Sequence, residues 1–125
     1  MLSKLPLVCV VDDDAAVRNA LKFALEVEGL DVRVFDGAAS LLNDPAALPC
    51  DCLVVDYRMP GMDGLELIGV LRSRGFDATV ILITGRANKE LRARAERLGV
   101  HCLLEKPLPD DALLDSIRAA LPRAG

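Results

Sequence analysis

Leu53-Val54-Val55-Asp56-Tyr57-Arg58-Met59-Pro60-Gly61-Met62-Asp63-Gly64 decides the reading of this chain. A short apolar run ends on an acid, and a Pro-Gly turn follows. Three other apolar runs also end in polar residues that can do chemistry. Leu7-Val8-Cys9-Val10-Val11 runs into Asp12-Asp13-Asp14, Val80-Ile81-Leu82-Ile83 into Thr84-Gly85, and Cys102-Leu103-Leu104 into Glu105-Lys106-Pro107. Runs this short and this apolar suit strands buried on both faces. In open α/β sheets, ligands bind beyond the carboxyl ends of the strands. Three carboxylates, a hydroxyl and a lysine gathered there describe a site for a hard cation with an anion-binding flank.

Outward from these runs the chain alternates strand and helix. Leu7–Val11 is read as the first strand, and residues 14–28 as a helix with Val17, Leu21, Ala24 and Leu25 at helical spacing and Gly29 as its stop. Residues 31–35 alternate polar and apolar, as a partly exposed edge strand does. Residues 38–43 form a short helix ended by Asp44-Pro45. Residues 53–56 are the third strand, 65–74 the third helix with Leu67, Ile68 and Leu71 inward, 79–83 the fourth strand and 88–98 the fourth helix, closed by Gly99. Residues 102–105 are the fifth strand. Residues 110–121 are the last helix, with acids in its first turn and Leu113, Leu114, Ile117 and Leu121 inward. Five such units predict one α/β domain over 1–125, a doubly wound five-stranded parallel sheet with five helices covering both faces.

Composition narrows the function. Of 125 residues, 52% are hydrophobic, yet Trp is absent, so the core is one of Leu, Val, Ile and Ala. A net charge of −4 argues against a nucleic-acid surface, which needs a basic stripe. No apolar run approaches the roughly eighteen residues of a membrane span, and no cleavable signal pattern precedes the first strand. The expectation is a cytoplasmic protein. Cys9, Cys50, Cys52 and Cys102 lack the spacing of a metal set. They are read as small buried hydrophobes.

Asp12, Asp13 and Asp56 converge if the first and third strands are neighbours. Their mutual repulsion calls for a divalent cation. Mg²⁺ is suited, since it takes one or two carboxylates together with phosphate oxygens and water. A carboxylate can itself attack phosphorus and form an acyl phosphate. Lys106 supplies a compact cation for the phosphoryl oxygens, Thr84 a hydroxyl, and Gly85 room for close backbone approach. Asp14 is the expected helix cap. The Lys106-Pro107 bond can be cis or trans as far as sequence goes.

On these motifs the chain resembles the receiver domain of two-component response regulators, over about Leu7 to Leu121. They are Val-Val-Asp-Asp at 10–13, Val-Asp-x-x-Met-Pro-x-Met-Asp-Gly at 55–64, Ile-Thr-Gly at 83–85 and Glu-Lys-Pro at 105–107. The resemblance implies a flavodoxin-like strand order 2-1-3-4-5, with Asp56 as phosphoacceptor. It implies Asp12 and Asp13 as the acidic pair of the Mg²⁺ site and Arg58 as the residue lending it a backbone carbonyl. It further implies Thr84 as the switch hydroxyl, Lys106 as the phosphoryl contact, and a sensor histidine kinase or histidine phosphotransfer protein as donor. Output or dimerisation would use the face of the fourth helix, fifth strand and fifth helix. One departure stands out: Leu103 occupies the position where the family usually has an aromatic switch residue.

Arg86, Lys89, Arg92, Arg94 and Arg97 make the fourth helix and its loop basic. They are read as a solvated face with Glu90 and Glu96 as local partners, or else as a docking surface for an acidic partner or a second copy. Three functions compete. The first is a phosphorylation-controlled switch, not an enzyme acting on others, expected to stand alone because the tail has no linker composition. The second is a receiver-like binding module that no longer switches, motivated by Leu103. The third is a Mg²⁺-dependent aspartyl phosphohydrolase using Asp12-x-Asp14, with Asp110-Asp111 as an imperfect late acidic pair.

Overall fold

Each apolar run is a strand, and each helical pattern between them is a helix. The computed structural model describes residues 5–44, 50–108 and 111–121. In chain order the elements are β1 (Leu7–Val11), α1 (Ala15–Val27), β2 (Asp31–Phe35), α2 (Ala38–Leu42), β3 (Cys52–Asp56), α3 (Gly64–Ser73), β4 (Thr79–Thr84), α4 (Lys89–Arg97), β5 (Cys102–Glu105) and α5 (Ala112–Ala120). The five strands form one parallel sheet, ordered β2-β1-β3-β4-β5. That is the order implied by the resemblance.

The strands separate two cores. Cys9, Val11, Leu53, Val55, Val80 and Leu82 pack on one side with residues of α2, α3 and α4. Val8, Val10, Cys52, Val54, Ile81 and Ile83 pack on the other with Leu25 of α1 and Leu113 and Ile117 of α5. Because β1, β3 and β4 bury both faces, their sequences run apolar without alternation. β2 lies at one edge and does alternate, with Asp31 and Arg33 exposed.

Several boundaries and faces differ from expectation. β5 was grouped with the buried runs. It is the other edge of the sheet, and Cys102, Leu103 and Leu104 are only half-buried. Ala24 is exposed, so the inner face of α1 is narrower than its apolar spacing suggests. On α5, Leu113 and Ile117 are buried while Leu114 and Leu121 are half-buried. α5 begins at Ala112, preceded by Asp111 in the left-handed region (φ 67°) with no side-chain cap. Asp115 is the acid of its first turn, and residues 45 and 110 lie outside the described residues. Gly29 and Gly99 end α1 and α4 with φ of 87° and 72°, a conformation most side chains avoid.

The thiols behave as core groups. Cys9, Cys50 and Cys52 are buried, Cys102 is half-buried, and none is in a disulfide. Burial pushes the Cys52 thiol up to about 12. The thiols of Cys9 and Cys50 share a hydrogen bond, which raises the first and lowers the second.

Candidate phosphoacceptor site

The register sets two acids side by side. Val11 pairs with Val55, so Asp12 and Asp56 emerge together at the carboxyl ends of β1 and β3. Backbone bonds continue past both strands. Asp12 N–H donates to the Phe35 carbonyl (3.1 Å), and Tyr57 N–H to that of Ile83 (2.7 Å). Asp12 and Asp56 are almost wholly buried, while Asp13 is exposed. One carboxylate oxygen from each of Asp12, Asp13 and Asp56 lies within 4.8 Å of the others. Lys106, tied to β4 through its N–H and the Thr84 carbonyl (2.8 Å), brings Nζ to 3.5 Å from Asp56 Oδ1. Its bond to Pro107 is cis.

Charge is strained here. Burial raises the pKa of Asp56, and the neighbouring Asp12 carboxylate raises it further, against the pull of Lys106. Burial raises Asp12 too, opposed by the Asp14 N–H, which donates to Asp12 Oδ1 at 2.9 Å. Three carboxylates this close fit a hard divalent cation, whose charge would offset their burial and their mutual repulsion. Mg²⁺ is the natural candidate, and the oxygen-only donor set suits it. Asp13 also lines an adjoining cleft of about 470 Å³, together with Tyr57, Arg58, Met59, Pro60 and Asp63.

Asp14 takes no part in this cluster. Its carboxylate caps α1, accepting from the N–H groups of Ala16 (2.9 Å) and Val17 (3.3 Å). The Asp12-x-Asp14 pair needed for the hydrolase is therefore not brought together. Thr84 is buried at the end of β4, and its hydroxyl is engaged by the backbone of Arg86. It donates to the Arg86 carbonyl (3.1 Å) and accepts from the Arg86 N–H (3.3 Å). Leu103 pairs with Leu82 and packs half-buried against the core under α3 and α4. Gly85 is exposed with open space where a Cβ would sit, so no protein neighbour demands glycine there.

Gly64 is the residue that sequence reasoning passed over. A Cβ on it would stand 2.7 Å from the Asp56 carbonyl and 2.9 Å from Val55 Cγ1. Its N–H donates to the Tyr57 carbonyl (2.8 Å), folding the loop back onto β3. Asp63 and Glu66 form a reciprocal capping box that starts α3 at this point. The signal was present in Asp63-Gly64-Leu65-Glu66: a cap, a missing side chain and the returning glutamate.

A protein-family model of the response regulator receiver domain matches residues 8–118. The chain belongs to the response regulator receiver domains. This receiver is 44% identical over 115 residues to the transcriptional regulatory protein FixJ of Azorhizobium caulinodans, covering 92% of the chain and 54% of that relative. It is 44% identical over 114 residues to the C4-dicarboxylate transport transcriptional regulatory protein DctD of Pseudomonas aeruginosa, covering 91% of the chain and 25% of the relative. The receiver thus spans between a quarter and about half of these relatives' lengths. The crystal structure of FixJ-N superposes with a TM-score of 0.83 at 30% identity, covering 94% of both chains. Among the described residues no helix is long and apolar enough to cross a membrane.

Proposed function

We propose that this receiver accepts a phosphoryl group on Asp56 from a phosphohistidine of a sensor kinase or phosphotransfer protein. The observation that carries the reading is the meeting of Asp12, Asp13 and Asp56 within 4.8 Å, with Lys106 at 3.5 Å from Asp56. Asp12, Asp13, Asp56 and the backbone carbonyl of Arg58 would hold Mg²⁺, which would offset negative charge on the carboxylates and the incoming phosphoryl oxygens. An Asp56 carboxylate oxygen attacks phosphorus, the phosphorus–nitrogen bond to the donor histidine breaks, and an acyl phosphate forms on Asp56. Lys106 holds one phosphoryl oxygen through its ammonium group. Thr84 turns its hydroxyl from the Arg86 carbonyl to another. The loop after β4 is released, and the change spreads through α4, β5 and α5 to a protein partner or a second copy. We place this receiver in the cytoplasm and infer that it catalyses only its own phosphotransfer and dephosphorylation.

A second reading rests on Leu103. With no ring beside Thr84, the domain would accept a phosphoryl group yet relay little of the change. Incubation with acetyl phosphate and Mg²⁺, read by intact mass, tests the main reading. One phosphoryl group should appear, require Mg²⁺, and vanish in Asp56→Ala. Labelling that survives in Asp56→Ala but not in Asp12→Ala would instead restore the hydrolase. Beryllofluoride followed by NMR separates the two receiver readings: shifts that reach α4 and Leu103 mark a switch, and shifts confined to the acidic cluster mark a silent acceptor.

A further inference from the structure

Beside the acidic cluster lies a groove of opposite charge. About 260 Å³ in volume, it is lined by Arg58, Arg86 and Arg94 together with Tyr57, Asn88 and Glu90. It occupies the flank of α4 toward the loop after β3. On the other flank Arg92 reaches Glu105 of β5 (3.9 Å). Glu90 and Glu96 were the expected partners of this basic helix. Yet among the described residues, Arg58, Arg86 and Arg94 are in no ion pair. Three guanidinium groups and one carboxylate leave the groove net positive in a chain of net charge −4. The amino-terminal turn of α4 adds partial positive charge at the same place. A guanidinium presents several donors in one plane and binds oxyanions through paired bonds. At about 260 Å³ the groove has room for a small ion, and three guanidinium groups suit an oxyanion.

Arg86 belongs to two structures at once. Its side chain lines the groove, and its carbonyl and N–H hold the Thr84 hydroxyl. We propose that the groove binds a divalent tetrahedral oxyanion of the phosphate and sulfate class, and that this binding opposes phosphorylation of Asp56; the opposition rests on the phosphoacceptor reading above. An ion held by Arg58, Arg86 and Arg94 fixes the loop in the conformation whose carbonyl accepts from Thr84. Phosphorylation draws that hydroxyl away. Two ligands that favour different positions of one loop weaken each other by the same factor.

The test is an amide NMR titration of the Mg²⁺-free protein with sodium sulfate, ionic strength being held constant with sodium chloride. Saturable shifts should appear at residues 58 and 86–94 and be lost in the Arg86→Ala, Arg94→Ala double variant, whose exposed or half-exposed side chains leave both cores intact. Shifts that stay linear, that chloride reproduces, or that persist in the double variant overturn the site. In a second arm, saturating sulfate should weaken binding of Mg²⁺ and beryllofluoride about 5-fold in the native protein and leave the double variant unchanged. Equal affinity with and without sulfate overturns the opposition. Beryllofluoride that never binds sinks the phosphoacceptor reading instead, while the first arm still decides the groove.

Discussion

At the scale of single residues, Asp56 is held against its own solvation preference. Its pKa is raised by burial and by Asp12. A carboxyl with a raised folded pKa costs nothing while both states are protonated. It costs stability as pH rises from the unfolded value through the folded one, and the penalty is complete above the folded value. Asp56→Asn should therefore stabilise the Mg²⁺-free protein by about 0.5–2 kcal/mol, a rise of a few degrees in Tm. Mg²⁺ should raise the melting temperature of the native protein and do so far less in the variant. Thermal melts with Mg²⁺ and with chelator check both statements, and a variant that melts lower without metal refutes the first. The acids, Thr84 and Lys106 could be named from the chain because each follows an apolar run. Their directions could not. Asp14 was the exception, expected to cap α1 and found there; that the Thr84 hydroxyl is engaged by Arg86 depends on where the loop turns after β4 ends.

Secondary elements are placed by contacts between segments distant in the sequence. Gly64 opens α3 against the Asp56 carbonyl at a distance no Cβ tolerates. Gly64→Ala should cost about 1–3 kcal/mol through overpacking and slow phosphorylation by acetyl phosphate, because the end of β3 must shift. Denaturant unfolding and the mass assay read the two effects, and an unchanged phosphorylation rate would count against the packing argument. At the other end of the sheet, Arg72 of α3 donates to the carbonyls of Leu98 (3.0 Å), Phe76 (3.0 Å), Ala78 (2.9 Å) and Gly99 (3.1 Å). It joins the ends of α3 and α4 to the start of β4. Arg72→Met should cost about 2 kcal/mol, the scale of losing hydrogen bonds to a charged donor. Arg72→Lys should recover little of it, since one ammonium cannot span the guanidinium's fork; full recovery would show that charge alone matters. Nothing in the sequence set Arg72 apart from the other arginines. Helix periodicity marked Leu67, Ile68 and Leu71 as inward, but carbonyls contributed by α4 and by the chain before β4 are brought to Arg72 only by the sheet.

For the molecule as a whole, one sheet serves two cores. Ile81 and Leu82 are neighbours on β4, both fully buried, with side chains in opposite cores. Ile81→Ala and Leu82→Ala should each cost about 2–5 kcal/mol and lower a single shared unfolding transition, since a strand common to both cores couples them. Two separate transitions would deny that coupling. The sequence by itself determined the class of fold. Buried parallel strands must be apolar throughout, helices between them must carry a 3.6-residue pattern, and the polar residues that end the strands must gather at one edge of a parallel sheet. Tertiary structure alone decided which runs stood at the edges. β5 reads as apolar as β1, yet it is half-buried because it is an edge of the sheet, with no further strand beside it among the described residues. It also decided the pairing of the charges on α4. Helical spacing offered Glu90 and Glu96 as partners, whereas Arg92 instead reaches Glu105 across to β5 and Arg94 turns to the groove beside Asp56. Periodicity reports which face of an element is buried; which neighbour meets that face follows only when register and strand order bring distant segments together.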